Sequence, residues 1–278
     1  MRESAVMLYA WCRHCDDVVD GQHLGFGAGE GSHDAAERLA GLEEQTRSAL
    51  AGEPTDHPAF AALQEVARRH AIPDRYPLQH LAGFRMDVEA RRYGTIEDTL
   101  DYAYHVAGVV GLMMAHVMGV RDPATLDRAS DLGLAFQLTN IARDVVEDAA
   151  VGRVYLPADW LAEAGIPAGA VAEPRHRKRL ATVAARLVDY AEPYYGSALV
   201  GVRALPPRAA WAIGAAHGIY REIGLEVRRR GPHAWDRRVS TSRAAKLRHV
   251  VAGGMAALSG RIGAPGPTPR SNLYRWPS

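Results

Sequence analysis

The chain has 278 residues, of which 47% are hydrophobic and 23% charged, as is usual for a globular protein with one sizeable core. Its 33 Lys and Arg residues nearly balance its 32 Asp and Glu residues, which argues against a protein that attracts nucleic acid by overall charge. Two cysteines cannot build a disulfide framework, and the longest apolar run, residues 106–120, falls short of a membrane span. We therefore expect a cytoplasmic protein.

Most of the chain has the spacing of amphipathic helices, with apolar residues three and four positions apart. Clusters of Gly, Pro and Asp separate these segments. We predict helices over residues 2–20, 34–51, 57–71, 75–92, 97–120, 124–149, 175–200, 206–230 and 240–262. The sequence contains neither strand–helix alternation nor a GxGxxG motif, so it predicts a single all-α domain over residues 1–262. Residues 263–278 are rich in Pro and Gly and are predicted to form a loosely packed tail.

The stretch WCRHCDDVVDG, residues 11–21, contains two groups that could carry chemistry. Cys12 and Cys15 have the spacing of a redox dithiol or of half a zinc site. A zinc site would need further ligands and a thioredoxin-like dithiol a preceding strand, so we favour two buried helix residues. Asp16 and Asp20 lie one helical turn apart, where like charges repel unless a cation joins them. A solvated acidic helix end is the alternative interpretation.

A second acidic pair stands in residues 136–157, FQLTNIARDVVEDAAVGRVYLP. Asp144 and Asp148 repeat the spacing of Asp16 and Asp20, and an arginine accompanies each pair. Two such pairs on facing helices would form an oxygen-rich site for Mg²⁺, which takes carboxylates, water and substrate phosphate as ligands. Arginines beside the site can bind diphosphate oxygens in bidentate fashion. The repeated pattern favours a metal–diphosphate site over two accidental acidic faces.

With these motifs, the sequence resembles the squalene/phytoene synthase family of head-to-head prenyltransferases. The resemblance rests on the order and spacing of MLYAWCRHCDDVVD, YHVAGVVGLMMAHVMGVRD, LGLAFQLTNIARDVVEDAAVGRVYLPADWL, AEPYYGSAL and AIGAAHGIYREIGLEV. It implies a bundle of α-helices around a deep central cavity. It also implies the magnesium-dependent condensation of two geranylgeranyl diphosphates, through the cyclopropyl intermediate prephytoene diphosphate, to phytoene in carotenoid biosynthesis.

The resemblance further implies roles for individual residues. The expected ligands of Mg²⁺, or of Mn²⁺ in its place, are Asp16, Asp20, Asn140, Asp144 and Asp148. The residues expected to contact diphosphate or metal-bound water are Tyr9, Arg13, Asp17, Gln137, Arg143 and Tyr220. Tyr102 is expected to assist the proton and cation chemistry beside the four metal-binding aspartates, whereas Tyr104 would point off that face.

Beyond the diphosphate, the cavity is expected to be apolar, because a carbocation must be kept from water. Residues 106–118, rich in Gly, Ala and Met, would supply its wall, would pack helix against helix, or would do both. The basic residues between 228 and 248 have three possible roles: they gather near a second diphosphate, they face a membrane, or they are merely solvated.

The lipid substrate implies peripheral attachment to the inner face of the cell membrane, and contact with downstream carotenoid enzymes. Family members usually begin earlier, with a segment that closes the cavity, and this segment is expected to be absent here. Two alternatives remain open. One is a sibling enzyme that uses farnesyl diphosphate to make squalene, dehydrosqualene or hydroxysqualene, and the other is a non-catalytic scaffold on the same fold.

Overall fold

The computed structural model describes residues 1–19, 21, 32–258 and 270–277, and the regular elements in this part are all helical. The α-helices are α1 (Arg2–Val19), α2 (Ser32–Leu50), α3 (Pro58–His70), α4 (Arg75–Val88), α5 (Ile96–Ala103), α6 (Val109–Val117), α7 (Pro123–Ala150), α8 (Ala158–Glu163), α9 (Arg177–Val202), α10 (Pro207–Arg230) and α11 (Arg243–Leu258). A π-helical turn, Tyr104–Gly108, joins α5 to α6, and the 3₁₀ turns are Ala168–Ala170, Pro174–His176, Gly231–His233 and Arg270–Asn272. The predicted all-α fold is confirmed.

The helices begin where the sequence places capping residues. The carboxylate of Asp122 accepts a hydrogen bond from the backbone N–H of Thr125 (2.9 Å), and Pro123 stands at the first position of α7. Thr95 and Asp98 form a capping box at the start of α5. Two elements differ from the prediction. The helix predicted over residues 97–120 is divided by the π turn, and the six-residue α8 is too short to leave a periodic pattern.

Helix α7 is the centre of the bundle and packs against α6, the π turn, α9 and α10. Glycines allow its closest approach. A Cβ atom at Gly133 would stand 2.3 Å from the carbonyl oxygen of Ala107, and one at Gly111 would stand 2.4 Å from that of Ala129. The small residues within 106–118 therefore serve helix packing, as one of the two compatible interpretations predicts.

The C-terminal residues 270–277 pack against the bundle instead of forming the loose segment that their composition predicts. The guanidinium of Arg270 pairs with Asp131, a fully buried carboxylate of α7. The amino-acid composition of a segment indicates its local conformation, but it cannot predict an ion pair with a residue 139 positions away. Within the described residues, none of the helices combines the length and apolarity needed to cross a bilayer.

Candidate functional site

An apolar cavity of about 370 Å³ lies among the π turn, α6, α7, α9 and α10. The segment 106–118 contributes one wall, as predicted, through Val106, Ala107, Val110, Gly111, Met114, Ala115 and Met118. Met113 of the same segment is fully buried in the core instead. Facing this wall are Leu132, Gly133 and Phe136 of α7, with Ala198, Leu205 and Ile213 beyond them. A cavity of this composition can hold a hydrocarbon chain and exclude water.

Polar side chains line the cavity where α7 continues toward its C-terminus. Gln137, Asn140 and Tyr220 belong to this part of the lining, and the ring of Tyr220 stacks on Phe136 with centroids 4.2 Å apart. The amide nitrogen of Asn140 donates to Oε1 of Gln137 (3.4 Å). Its Oδ1 atom is buried and has no hydrogen-bond partner among the described residues. A buried carbonyl oxygen left without a donor is unfavourable in the protein alone and suits a hard cation.

Two carboxylates follow Asn140 on α7. Asp144 accepts hydrogen bonds from Nε of Arg143 (2.7 Å) and from Nη2 of Arg238 (3.0 Å). Burial raises the pKa of Asp144, but the hydrogen bonds from both arginines outweigh burial and hold that pKa below its usual value. Asp148 is in the opposite situation. Burial and the nearby charge of Asp144 raise its pKa to about 7, against the opposing charge of Arg153.

Asp87 at the end of α4 is a third carboxylate of this cluster, and sequence reasoning missed it. Its negative charge contributes to the raised pKa of Asp148. Its Oδ2 atom accepts a hydrogen bond from the hydroxyl of Tyr102 (3.0 Å) and its Oδ1 atom one from Tyr155 (2.8 Å). The two tyrosine rings stack with centroids 4.5 Å apart. Burial and then the charge of Asp87 raise the pKa of Tyr102 well above its usual value, so its hydroxyl remains a donor.

The acidic residues of α1 are held by an arginine of the same helix. Arg13 forms ion pairs with Asp16 (2.7 Å) and with Asp17 (2.6 Å), of which Asp17 is buried and Asp16 partly exposed. Asp20 lies outside the described residues. Tyr9, expected near the diphosphate, has a side chain that is largely exposed.

The ends of α1 and α4 lie at the same end of the bundle. Arg38 of α2 donates to the carbonyl oxygen of Val19, the last residue of α1 (3.3 Å). Glu43, about 7 Å further along α2, pairs with Arg85 near the end of α4. Both contacts are made by α2, so the last residue of α1 and the end of α4 lie along the same helix.

The two cysteines have the properties of core residues. Burial raises the pKa of Cys12 to about 12, and it raises the pKa of Cys15 well above its usual value. A reactive thiol needs a lowered pKa, so the protonated state of both groups disfavours a redox dithiol. This agrees with the preferred interpretation of the WCxxC stretch.

The residues near the acidic cluster fit a divalent cation, although they form no complete cage. Among the described residues, no three His, Cys, Asp or Glu side chains converge closely enough to hold a metal by themselves. The Oδ1 atom of Asn140 and the carboxylate of Asp148 can nevertheless serve as oxygen ligands. A cation would give Oδ1 the partner that it lacks and would offset the negative charges around Asp148. Arg238, one of the basic residues with an open role, acts here as a counterion of Asp144.

The chain belongs to the squalene/phytoene synthase family, whose sequence profile matches residues 1–245. Among its relatives is the 15-cis-phytoene synthase of Enterobacter agglomerans, 58% identical over 94% of this chain and 88% of the relative. The 15-cis-phytoene synthase of Pantoea ananas is 54% identical over 99% of this chain and 89% of the relative. A crystal structure of a dehydrosqualene synthase in complex with a ligand superimposes with a TM-score of 0.81, at 27% identity, over 92% of this chain and 87% of that one.

We predict opposite effects on stability for the two neighbouring carboxylates of α7. The pKa of Asp148 rises on folding, so the unfolded chain binds fewer protons than the native protein between about pH 4 and pH 7, and stability falls as the pH rises through this range. Asp148→Asn should therefore stabilise the metal-free protein at pH 8 by about 1–2 kcal/mol, a few degrees in Tm, and should have little effect near pH 4. The measurement is thermal unfolding followed by circular dichroism, with a chelator present.

Asp144→Asn is the matched control, because the arginine-lowered pKa of Asp144 stabilises the folded state above about pH 4. It should lower Tm at pH 8. Equal shifts of the same sign in both variants would contradict the charge distribution described for this site.

Proposed function

We propose that the protein is a phytoene synthase that joins two geranylgeranyl diphosphates, through prephytoene diphosphate, to phytoene in carotenoid biosynthesis. The observation that carries the proposal is the order of side chains on α7, where an apolar cavity wall is followed by Asn140 and then by Asp144 and Asp148. Such an order suits a substrate with a hydrocarbon tail and a diphosphate head. The phytoene synthases at 54–58% identity support the choice of substrate.

Oxygen atoms at the polar end of the cavity would bind the metal. Asn140, Asp144 and Asp148 would hold Mg²⁺, or Mn²⁺ in its place, together with Asp16 and Asp20 from the end of α1. A bound divalent cation supplies Lewis-acid stabilisation of the departing diphosphate. The unpartnered Oδ1 of Asn140 and the crowding around Asp148 support this ligand set.

The remaining residues bind diphosphate and shield the cation chemistry. Arg143 and Arg238, already at the acidic cluster, present planar donors that can bind diphosphate oxygens. Gln137 and Tyr220 would contact the head group from the cavity side, and Arg13, Asp17 and Tyr9 from the side of α1. The apolar walls exclude water from the carbocation, and the aromatic pair of Phe136 and Tyr220 offers it a π face.

The first test is product analysis with Mg²⁺ and either geranylgeranyl or farnesyl diphosphate. We expect phytoene from the twenty-carbon substrate, and we expect Asp144→Ala to lower its rate of formation at least about 100-fold while the helical circular dichroism is preserved. Squalene-type products from farnesyl diphosphate alone would favour the sibling enzyme. If the folded protein released diphosphate from neither substrate, the scaffold alternative would replace the proposal.

Within the same proposal, Asp87 positions Tyr102 for the chemistry. Asparagine at position 87 keeps the size of the side chain but offers a single acceptor oxygen, so one of the two tyrosine hydroxyls loses the oxygen to which it donates. We predict that Asp87→Asn lowers kcat about tenfold and changes KM less than twofold at saturating Mg²⁺, because the side chains proposed to bind diphosphate are unchanged and saturating Mg²⁺ offsets the charge lost beside Asp148. Steady-state kinetics of phytoene formation measures both constants.

Tyr155→Phe is the control, because it removes a hydroxyl from Asp87 but leaves the hydrogen bond of Tyr102 in place. Its kcat should fall less than that of Asp87→Asn. A wild-type kcat for Asp87→Asn would exclude the positioning role.

The proposal extends to peripheral attachment at the inner face of the cell membrane, near downstream carotenoid enzymes. Trp211 of α10 and Leu247 and Val251 of α11 are exposed apolar side chains, and the indole N–H of Trp211 donates to the carbonyl oxygen of Val250 (2.7 Å). Arg248 lies on the same helix as Leu247. Exposed apolar side chains beside basic ones suit a membrane with anionic lipids.

Sedimentation with vesicles of anionic and zwitterionic phospholipid tests this surface. The protein should sediment with the vesicles at low salt and be partly released at high salt, and Trp211→Ser combined with Leu247→Ser should weaken binding. Val6→Ser, at an exposed apolar position of α1, is the control. Undiminished sedimentation of the double variant would exclude this face as the membrane contact.

A further inference from the structure

The C-terminal strap, residues 270–277, is fixed to the bundle at a buried carboxylate. The guanidinium of Arg270 makes two hydrogen bonds of 2.8 Å to Asp131, which is fully buried, and pairs with Asp127 at 3.2 Å. The hydroxyl of Ser197 also donates to Asp131. A buried carboxylate is strongly unfavourable without its counterion, so Arg270 holds the strap at this point of α7.

The second half of the strap lies on the segment that carries Tyr102. The hydroxyl of Tyr274 donates to Oδ1 of Asp101 (3.0 Å). The ring of Trp276 stacks on Tyr104, with centroids 6.0 Å apart and planes within 5°, and its indole N–H donates to Asp127 (3.0 Å). The strap thus contacts Asp101 and Tyr104, which flank Tyr102, while the hydroxyl of Tyr102 faces Asp87.

The segment under the strap has an uncommon backbone geometry. Helix α5 has only eight residues, and it continues into the π turn, a wider and rarer backbone geometry than the α-helix. Val106 and Ala107 within this turn line the cavity. A change in the register of the turn would therefore move both the cavity wall and Tyr102.

We propose that the C-terminal strap is a positioning element of the reaction, which holds α5 and the π turn so that Tyr102 meets Asp87 and the cavity keeps its shape. Arg270 fixes the strap to α7, and Tyr274 and Trp276 hold Asp101 and Tyr104 in place through the hydrogen bond and the ring contact described above. The proposal rests on the proposed function for its catalytic consequence, but the clamping itself does not depend on that function.

Two measurements on the variants Tyr274→Phe and Trp276→Leu of the full chain test the proposal. The first is hydrogen exchange of the backbone amides of residues 96–108 in the substrate-free protein. We expect exchange there to be at least about fivefold faster than in the wild type, the factor that corresponds to one lost hydrogen bond, with helix α3 unchanged. Arg275→Ala is the control, because Arg275 is an exposed residue of the same strap and should leave exchange as it is.

The second measurement is the partition of geranylgeranyl diphosphate between released prephytoene diphosphate and phytoene. This ratio does not depend on the fraction of folded enzyme, so a mere loss of stability leaves it unchanged. We expect both variants to release a severalfold larger share of the cyclopropyl intermediate, because Tyr102 and the cavity wall are misplaced for the second step, and we expect Arg275→Ala to behave as the wild type.

The outcomes separate the two proposals. Unchanged exchange in residues 96–108 would overturn the strap as a clamp, and faster exchange with an unchanged product ratio would overturn its role in the reaction. A wild-type protein that makes neither compound would refute the proposed function and with it the strap's catalytic role, while the exchange data would still decide the clamp.

Discussion

Repulsion among carboxylates at one end of the bundle is the constraint on which the rest of the structure depends. Asp144 and Asp148 stand one turn apart on α7, and Asp87 approaches them from α4. The protein offsets this repulsion unequally: two arginines neutralise Asp144, two tyrosine hydroxyls hydrogen-bond Asp87, and Asp148 keeps a pKa of about 7. The carboxylates at this end therefore lower the free energy of unfolding, as is common at functional sites, and burial of the apolar core around α7 offsets the loss.

Helix α7 fixes the distances between the parts of the site, because it is one continuous helix of 28 residues. Its first half carries Asp131, the anchor of the strap, followed by Gly133 at the closest helix crossing. Its second half carries Asn140 at the polar end of the cavity and then the acidic pair. A helix rises 1.5 Å per residue, so Asp131 and Asp144 are about 20 Å apart along a rigid axis. The strap therefore binds the same helix that presents the carboxylates, and it also contacts Asp101 and Tyr104, which flank Tyr102.

The sequence predicted what is local or repeated and missed what is distant or single. The helical spacing predicted most of the helices within a few residues, because each one buries a continuous apolar face. The acidic pair of α7 stood out because its spacing repeats that of α1. Asp87 has no such repeat, and its partners Tyr102 and Tyr155 lie 15 and 68 residues away. Arg270 pairs with a residue 139 positions earlier, and nothing in a Pro- and Gly-rich segment indicates such a contact. Tertiary ion pairs and hydrogen bonds of this kind become visible only when the helices are placed.

The electrostatic polarity of the cavity follows from the same arrangement. Arg128, near the start of α7, lines the cavity and donates to the backbone oxygen and hydroxyl of Ser197 (both 3.2 Å), so its positive charge is fixed in place. Asp144 and Asp148 stand beyond the other end of the cavity lining, more than 20 Å further along the helix. A carbocation in the apolar space between them is repelled by the guanidinium of Arg128, and the low dielectric of the walls strengthens this repulsion, whereas the charge of Asp144 is already offset by Arg143 and Arg238. A carbocation is therefore less stable near Arg128 than at the end of the cavity lined by Gln137, Asn140 and Tyr220. The fixed guanidinium of Arg128 thus favours reaction away from its own end of a long hydrocarbon, although the apolar walls themselves do not distinguish one isoprene unit from the next.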